Sequence, residues 1–147
     1  MATLADNKET VRRTYEEGMN RGDINFLDHV FTPDYTAHFP GKPPIVGLKE
    51  CKKAIAIFLA AFPDAVYKIE DLIAEGDRVV ARWSAKGTHL GPFQGIPAEH
   101  MVPPTGKPVS FGATDIYRMV DGKVAEEWNT IEQLDLMVQI GALKLPG

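Results

Sequence analysis

The residues best suited to chemistry crowd into one short stretch, TDIYRMVDGKVAEEWNT, residues 114–130. Asp115, Glu126, Glu127 and Asn129 lie there among Ile116, Tyr117, Val124 and Trp128, and Asp121-Gly122 marks a β-hairpin turn. Carboxylates that face each other across a hairpin raise one pKa of the pair, leaving a proton donor or acceptor usable near neutral pH. The turn decides whether they meet. A two-residue type I′ turn at Asp121-Gly122 pairs Asp115 with Trp128 and gathers Asp115, Glu126 and Trp128. A three-residue loop, Val120-Asp121-Gly122 with Gly122 left-handed, pairs Asp115 with Glu127 and gathers Ala113, Asp115, Tyr117, Glu127 and Asn129. The same pattern also suits a solvated edge with both acids in water.

Two histidines are placed to join such a site. In 78–89, Val79, Ala81, Trp83, Ala85, Gly87 and His89 share the apolar face of an alternating strand, so His89 ends an inward row beside a Gly-Pro loop. There it is either an acid/base group or a rim histidine bonded to backbone. His38, in DYTAHFPG, sits where a short strand enters a loop, as a donor at a pocket mouth or as loop structure. His29 reads as surface and His100 as part of the loop AEHMV. No histidine pair has a metal-ligand spacing, so no metal is expected. The glycines at 87, 91, 95 and 106 do not form a phosphate-binding loop between strand and helix, and no serine sits in a nucleophile elbow.

Stepping along the chain, helices precede strands. Helices are expected over 6–21 with Asp6 as cap, over a short segment from Asp23 to Phe31, over 48–62 and over 132–140. Leu48, Ile55, Phe58, Leu59 and Phe62 form the apolar stripe of the third. Val11 and Tyr15, four apart, place Tyr15 on the core side of the first. Strands are expected over 35–39, 65–74, 78–89, 107–118 and 123–131. Helices first and antiparallel strands after imply an α+β domain, its N-terminal helices packed on a curved antiparallel or mixed sheet that encloses a pocket.

Length and composition agree with one domain spanning 1–147: 147 residues, 44% hydrophobic, 24% charged. A net charge of −4 without a Lys/Arg stripe argues against nucleic acid and anionic membranes as partners. Cys51 is alone, so no internal disulfide forms and a reducing cytoplasm suits the chain. The N-terminus has no apolar core for a signal peptide, and no apolar run approaches a membrane span.

The ordered run FPD, GTH, PTGK, DIYR, DGK and E-x-W, followed by LMVQIGAL, resembles the SnoaL-like polyketide cyclases, or ester cyclases, over nearly the whole chain. The resemblance implies the nuclear transport factor 2-like cone, no cofactor, a homodimer formed through the outer sheet face, and a small hydrophobic carbonyl compound as ligand. It implies intramolecular aldol chemistry in which a carboxylate removes an acidic proton and hydrogen-bond donors hold the enolate. The family's strand aspartate matches Asp115, its GTH histidine His89, and a histidine after the first helices His38. Its ending E-H-W-D reads here Glu126-Glu127-Trp128-Asn129, so Glu127 replaces a histidine and Asn129 an acid; an amide is no base.

Asp115 is then the expected base, tuned by Glu127, with His89 and His38 polarising the carbonyl. Asn129, Tyr15, Tyr35, Trp83, Phe111 and Tyr117 are the expected ligand contacts. The three-residue hairpin loop is the expected one, because it gathers the family's polar positions on the inner face. The segment 98–103 lengthens the loop before PPTG and reshapes the pocket mouth for another substrate. Rival readings are a hydrolase that opens an epoxide or ester with an acid-activated water, and a binding domain without chemistry.

Overall fold

The structure is a computed structural model that describes residues 2–97 and 99–147. Its first helix, α1 (Leu4–Arg13), is capped by Thr3, whose hydroxyl accepts from the Asp6 amide at 3.0 Å while Asp6 accepts from the Thr3 amide at 2.9 Å. Asp6 is therefore the reciprocal partner in a capping box, not the cap itself. The helix widens into π-helical turns over Thr14–Asn20, which carry the buried Tyr15. A single 3-10 turn (Ile24–Phe26) leads into α2 (Leu27–Val30).

The second helix ends earlier than expected because β1 (Phe31–His38) takes over its last residue. Pro33 lies inside this strand, in the stretch where its pairing with β8 is broken: Phe31 is opposite Val124, Thr36 opposite Glu126, and nothing between them is paired. A residue without an amide hydrogen is tolerated at such an irregularity. β2 (Ile45–Val46) follows the PGKPP loop, and α3 (Leu48–Ala61) matches the expected third helix to within a residue. The remaining elements are β3 (Val66–Glu75), β4 (Arg78–Thr88), β5 (Phe93–Gln94), β6 (Met101–Val102), β7 (Pro108–Val120), β8 (Lys123–Ile131) and α4 (Gln133–Gln139). No helix among the described residues is long and apolar enough to cross a membrane.

One six-stranded sheet runs in the order β2-β1-β8-β7-β4-β3, with β1 and β8 parallel and the other neighbours antiparallel. Its inner face packs on the helices through Val79, Ala81, Trp83 and Ala85 of β4 and Phe111, Ala113, Asp115, Tyr117 and Met119 of β7, all buried. The sheet is curved and not closed, as the cone fold requires.

The hairpin turn differs from the expected one. It is the two-residue turn, with Asp121 at φ 50° and Gly122 at φ 78°, the left-handed pair that type I′ demands. Val120 pairs with Lys123 and Met119 with Val124, but Arg118 pairs with Glu126, leaving Ala125 as a bulge. That extra residue shifts the register beyond it, so Asp115 lies opposite Asn129, and Tyr117 opposite Glu127. Neither sequence register is realised, yet the faces are those of the three-residue loop. One inserted residue exchanges the two faces of a strand.

Candidate active site

The space between the helices and the inner sheet face is a cavity of about 230 Å³. Asp115, Tyr117, Glu127 and Asn129 of the hairpin line it, together with Tyr15 of the π-helical turns, Tyr35 of β1 and Trp83 of β4. The partly buried stripe of α3 forms an apolar wall, to which Ile55 and Phe58 contribute. This explains why that stripe is less covered than a core helix face: it looks onto empty space.

Asp115 is 2% exposed and is held by donors on both oxygens. Tyr15 O–H donates to Oδ2 at 2.9 Å, Trp83 Nε1–H to Oδ2 at 2.6 Å, and Asn129 Nδ2 to Oδ1 at 2.6 Å. The Tyr117 hydroxyl lies 2.5 Å from that of Tyr15 and 3.4 Å from Asp115, so it backs the Tyr15 donor. An indole N–H and an amide NH₂ can only donate, which makes Asp115 the acceptor throughout. The tyrosines remain protonated donors, because burial pushes the Tyr15, Tyr35 and Tyr117 hydroxyls well above their ordinary range.

Glu127 is held differently. Tyr35 O–H donates to its Oε1 at 2.5 Å, and Asp115 and Tyr117 are its other side-chain neighbours. Burial first, and the nearby Asp115 charge second, push its carboxyl well above the usual carboxylate range. Asp115 is thus the acid with three donors, and Glu127 is the one whose carboxyl is pushed towards its protonated form. The Asn129 Nδ2 faces a carboxylate that can only accept, so the amide orientation is forced and its buried Oδ1 is left without a partner.

The other expected site residues lie elsewhere. His38 is on the opposite face of the sheet, where its Nε2 meets Glu126 Oε2 at 2.6 Å and its ring stacks on Trp128 at 5.4 Å. The reason is the period of the strand: Tyr35 and Ala37 point inward and are buried, so their neighbour His38 points out. His89 is fully buried but does not line the cavity. Its Nδ1 accepts from the Thr105 amide at 3.3 Å and meets the Thr105 hydroxyl at 2.9 Å, tying the PTGK loop to the end of β4. Burial lowers its pKa, which keeps the ring neutral. Phe111 stands one layer behind the wall, 5.9 Å from Trp83 and 5.6 Å from Phe58.

Among the cavity residues that the sequence did not suggest are one cation and one amide near it. Lys42 in the PGKPP loop and Gln94 of β5 meet at the open end, with Nζ 2.5 Å from Oε1. Their only signal in the sequence was a polar residue inside each of two Pro/Gly-rich loops, which says nothing about where those loops converge. Among the described residues no three His, Cys, Asp or Glu side chains converge as a metal would need. Of the lengthened loop, Ala98 lies outside the described residues, while Met101–Val102 pairs with Phe93–Gln94 beside the cavity.

A model of the SnoaL-like polyketide cyclase family matches residues 9–140. Among solved structures, the chain is similar to a provisionally described SnoaL-like polyketide cyclase from Jannaschia sp., with 26% identity, TM-score 0.86 and 98% of each chain covered. It is similar also to AclR of Streptomyces galilaeus, provisionally described as a hydroxylase, with 30% identity and TM-score 0.82 over 97% of this chain and 100% of that one. TsrD of Streptomyces laurentii shares 29% identity and TM-score 0.83 over the same proportions. Among curated proteins none matches.

Proposed function

Since the chain belongs to the SnoaL-like polyketide cyclase family, we propose that it is a cofactor-free acid/base enzyme that closes a ring on a small hydrophobic, polyketide-like carbonyl compound by intramolecular aldol addition. The observation that carries this reading is the Asp115–Glu127 pair, the first buried and the second partly buried, at the inner end of a largely apolar cavity. A carboxyl with a raised pKa in a dry site is a strong base when ionised and a good acid when protonated.

The assignment of the base moves from Asp115 to Glu127. Three donors already satisfy Asp115, and taking up a substrate proton would cost those bonds, whereas the Glu127 carboxyl is already pushed towards binding a proton. In the proposed step, ionised Glu127 removes the proton beside the carbonyl. The enolate carbon forms a bond to a second carbonyl carbon, whose C=O electrons move to oxygen. The resulting alkoxide takes the same proton back from Glu127. Asp115 remains charged and raises the basicity of Glu127 through its field, while Tyr35 orients Oε1.

The test is to incubate the protein in D₂O with a panel of enolisable polyketide esters and ketones, following deuterium entry by NMR and cyclised product by mass spectrometry. Exchange that depends on Glu127 is expected; compounds that bind in the cavity yet never exchange would leave a binding domain. A protonated Glu127 is also the group needed to open an epoxide, and incorporation of ¹⁸O from labelled water separates that hydrolytic reading from the aldol one.

A homodimer through the outer sheet face is part of the same proposal. Ile116, 40% exposed, and the His38–Trp128 stack leave apolar surface on a face that no helix covers. A monomer-sized species in sedimentation at micromolar concentration counts against it.

A further inference from the structure

The cavity is polar at both ends, and the two ends differ in sign. At the buried end are the acids Asp115 and Glu127; at the open end is Lys42, the one cation among the described residues that line the space. The turn from Phe39 to Lys42, with Gly41 left-handed at φ 72°, lays this lysine over the opening. Its side-chain partner is a neutral amide, Gln94, and no carboxylate among the described residues is within ion-pair distance of it. Partial burial lowers its pKa, with no counter-charge to offset the loss of water.

The contact also fixes the amide. An ammonium can only donate, so Gln94 must turn Oε1 towards Lys42, and its NH₂ group faces away as a further donor. Among the described residues, Gln94 Nε2 has no hydrogen-bond partner. The open end therefore presents donors alone, one of them charged. The matching ligand group is an acceptor that carries a negative charge.

We propose that the Lys42–Gln94 pair binds a carboxylate on the substrate, so that the compound is an apolar carbonyl-bearing acid lying with its acid group at the opening and its reacting carbonyl at Glu127. This rests on the proposed function and adds the substrate class and its direction. Reversal of the ligand is disfavoured because its carboxylate would then meet Asp115, an anion whose donors are already engaged, in a poorly solvated site. Much of the remaining lining is apolar, Phe39, Ile55, Phe58 and Phe93 among it, so the body of the compound is largely hydrocarbon or aromatic.

The probes are 4-benzoylbutyrate, an enolisable aryl ketone with a carboxylate tail, and its methyl ester, measured by calorimetry and by NMR shifts on the intact protein. The acid is expected to bind at least about tenfold more tightly than the ester at low salt, and added NaCl should narrow that gap. Lys42→Met should abolish the preference by weakening the acid alone, and Lys42→Arg should keep it. Lys42 is on an exposed loop, and matching melting curves exclude a folding effect. Equal affinities in the unmodified protein, or a preference that survives Lys42→Met, overturn the pairing while leaving the proposed function standing, since a ketone still occupies the cavity. If neither compound binds, the cavity does not take small aryl ketones and both proposals fall together.

Discussion

Glu126 and Glu127 are adjacent in sequence and belong to one strand, and the fold drives their carboxyls in opposite directions. Glu126, on the outer face, is held below the usual carboxylate range by its hydrogen bond to His38 and then by Arg118, whose Nε lies 3.1 Å from Oε1. Glu127, on the inner face, is pushed far above that range by burial and by the Asp115 charge. The peptide is the same; the pleat decides. An acid that meets a guanidinium and a ring nitrogen in partial solvent is a structural anion, and an acid that meets another acid in a poorly solvated cavity is suited to carry a proton. The bulge at Ala125 determines which acid receives which environment, because without it Glu126 and Trp128 would face inward.

The sharpest way to break this comparison is to neutralise each acid in turn. Glu127→Gln should lower turnover on a verified substrate by at least about 100-fold, the usual scale for removing a general base. Glu126→Gln should leave turnover within about threefold, since it touches no lining group. Comparable losses from both would show that the face assignment does not govern the chemistry.

Asp115→Asn should act mainly on stability. It sets an NH₂ group or an uncharged oxygen against Tyr15, Trp83 and Asn129 donors, and a buried donor left unmatched costs about 1–3 kcal/mol. Urea denaturation should register that loss, and the pH–rate profile should shift to lower pH because Glu127 no longer feels an adjacent charge. A variant of unchanged stability would mean that the donors do not hold Asp115 as described.

The two glutamates should also mark opposite limbs of the stability profile. Glu127 binds its proton more tightly folded than unfolded, so the folded state loses stability as pH rises from about 4.5, the unfolded carboxylate value, towards the raised folded one. Glu127→Gln should flatten that decline. Glu126 binds its proton less tightly when folded, so its contribution is present above the unfolded value and is lost as pH falls through the depressed folded one. Thermal melts from pH 3 to 9 of both Gln variants test the signs.

The smallest effect belongs to the outer cluster at neutral pH. His38→Ala or Glu126→Gln should cost no more than about 1 kcal/mol, because the Glu126 side chain keeps 22% exposure and pairs in partial solvent are weak. A larger loss that also depends on protein concentration would place this face inside the proposed dimer.

Much of this was legible in the residues. The change from a helical to an alternating period at residue 65 locates the order of elements, because amphipathic spacing depends only on local geometry. The inward row from Val79 to Ala85 and the buried Tyr15 follow from the same periodicity. The hairpin was half legible: Asp-Gly named the turn, but a bulge arises from pairing with the partner strand and leaves no mark in the strand itself.

The histidines show the remaining boundary. His38 was misplaced because the strand's start at Phe31 was hidden by Pro33, and a strand read from Tyr35 alone does not say which face its first residue takes. His89 was placed correctly on the inward row, yet inward at the end of β4 means beside Phe62 and Thr105, not beside the acids. By itself the sequence determined the family, the order of elements and the residues with chemistry to offer, since these rest on local pattern and residue type. Only the tertiary structure decided which acid is held by three donors, which is pushed above the usual carboxylate range, and that Lys42 and Gln94 meet at the other end, because donors, burial and opposing charges come from residues distant in the chain that meet only once the sheet curves under its helices.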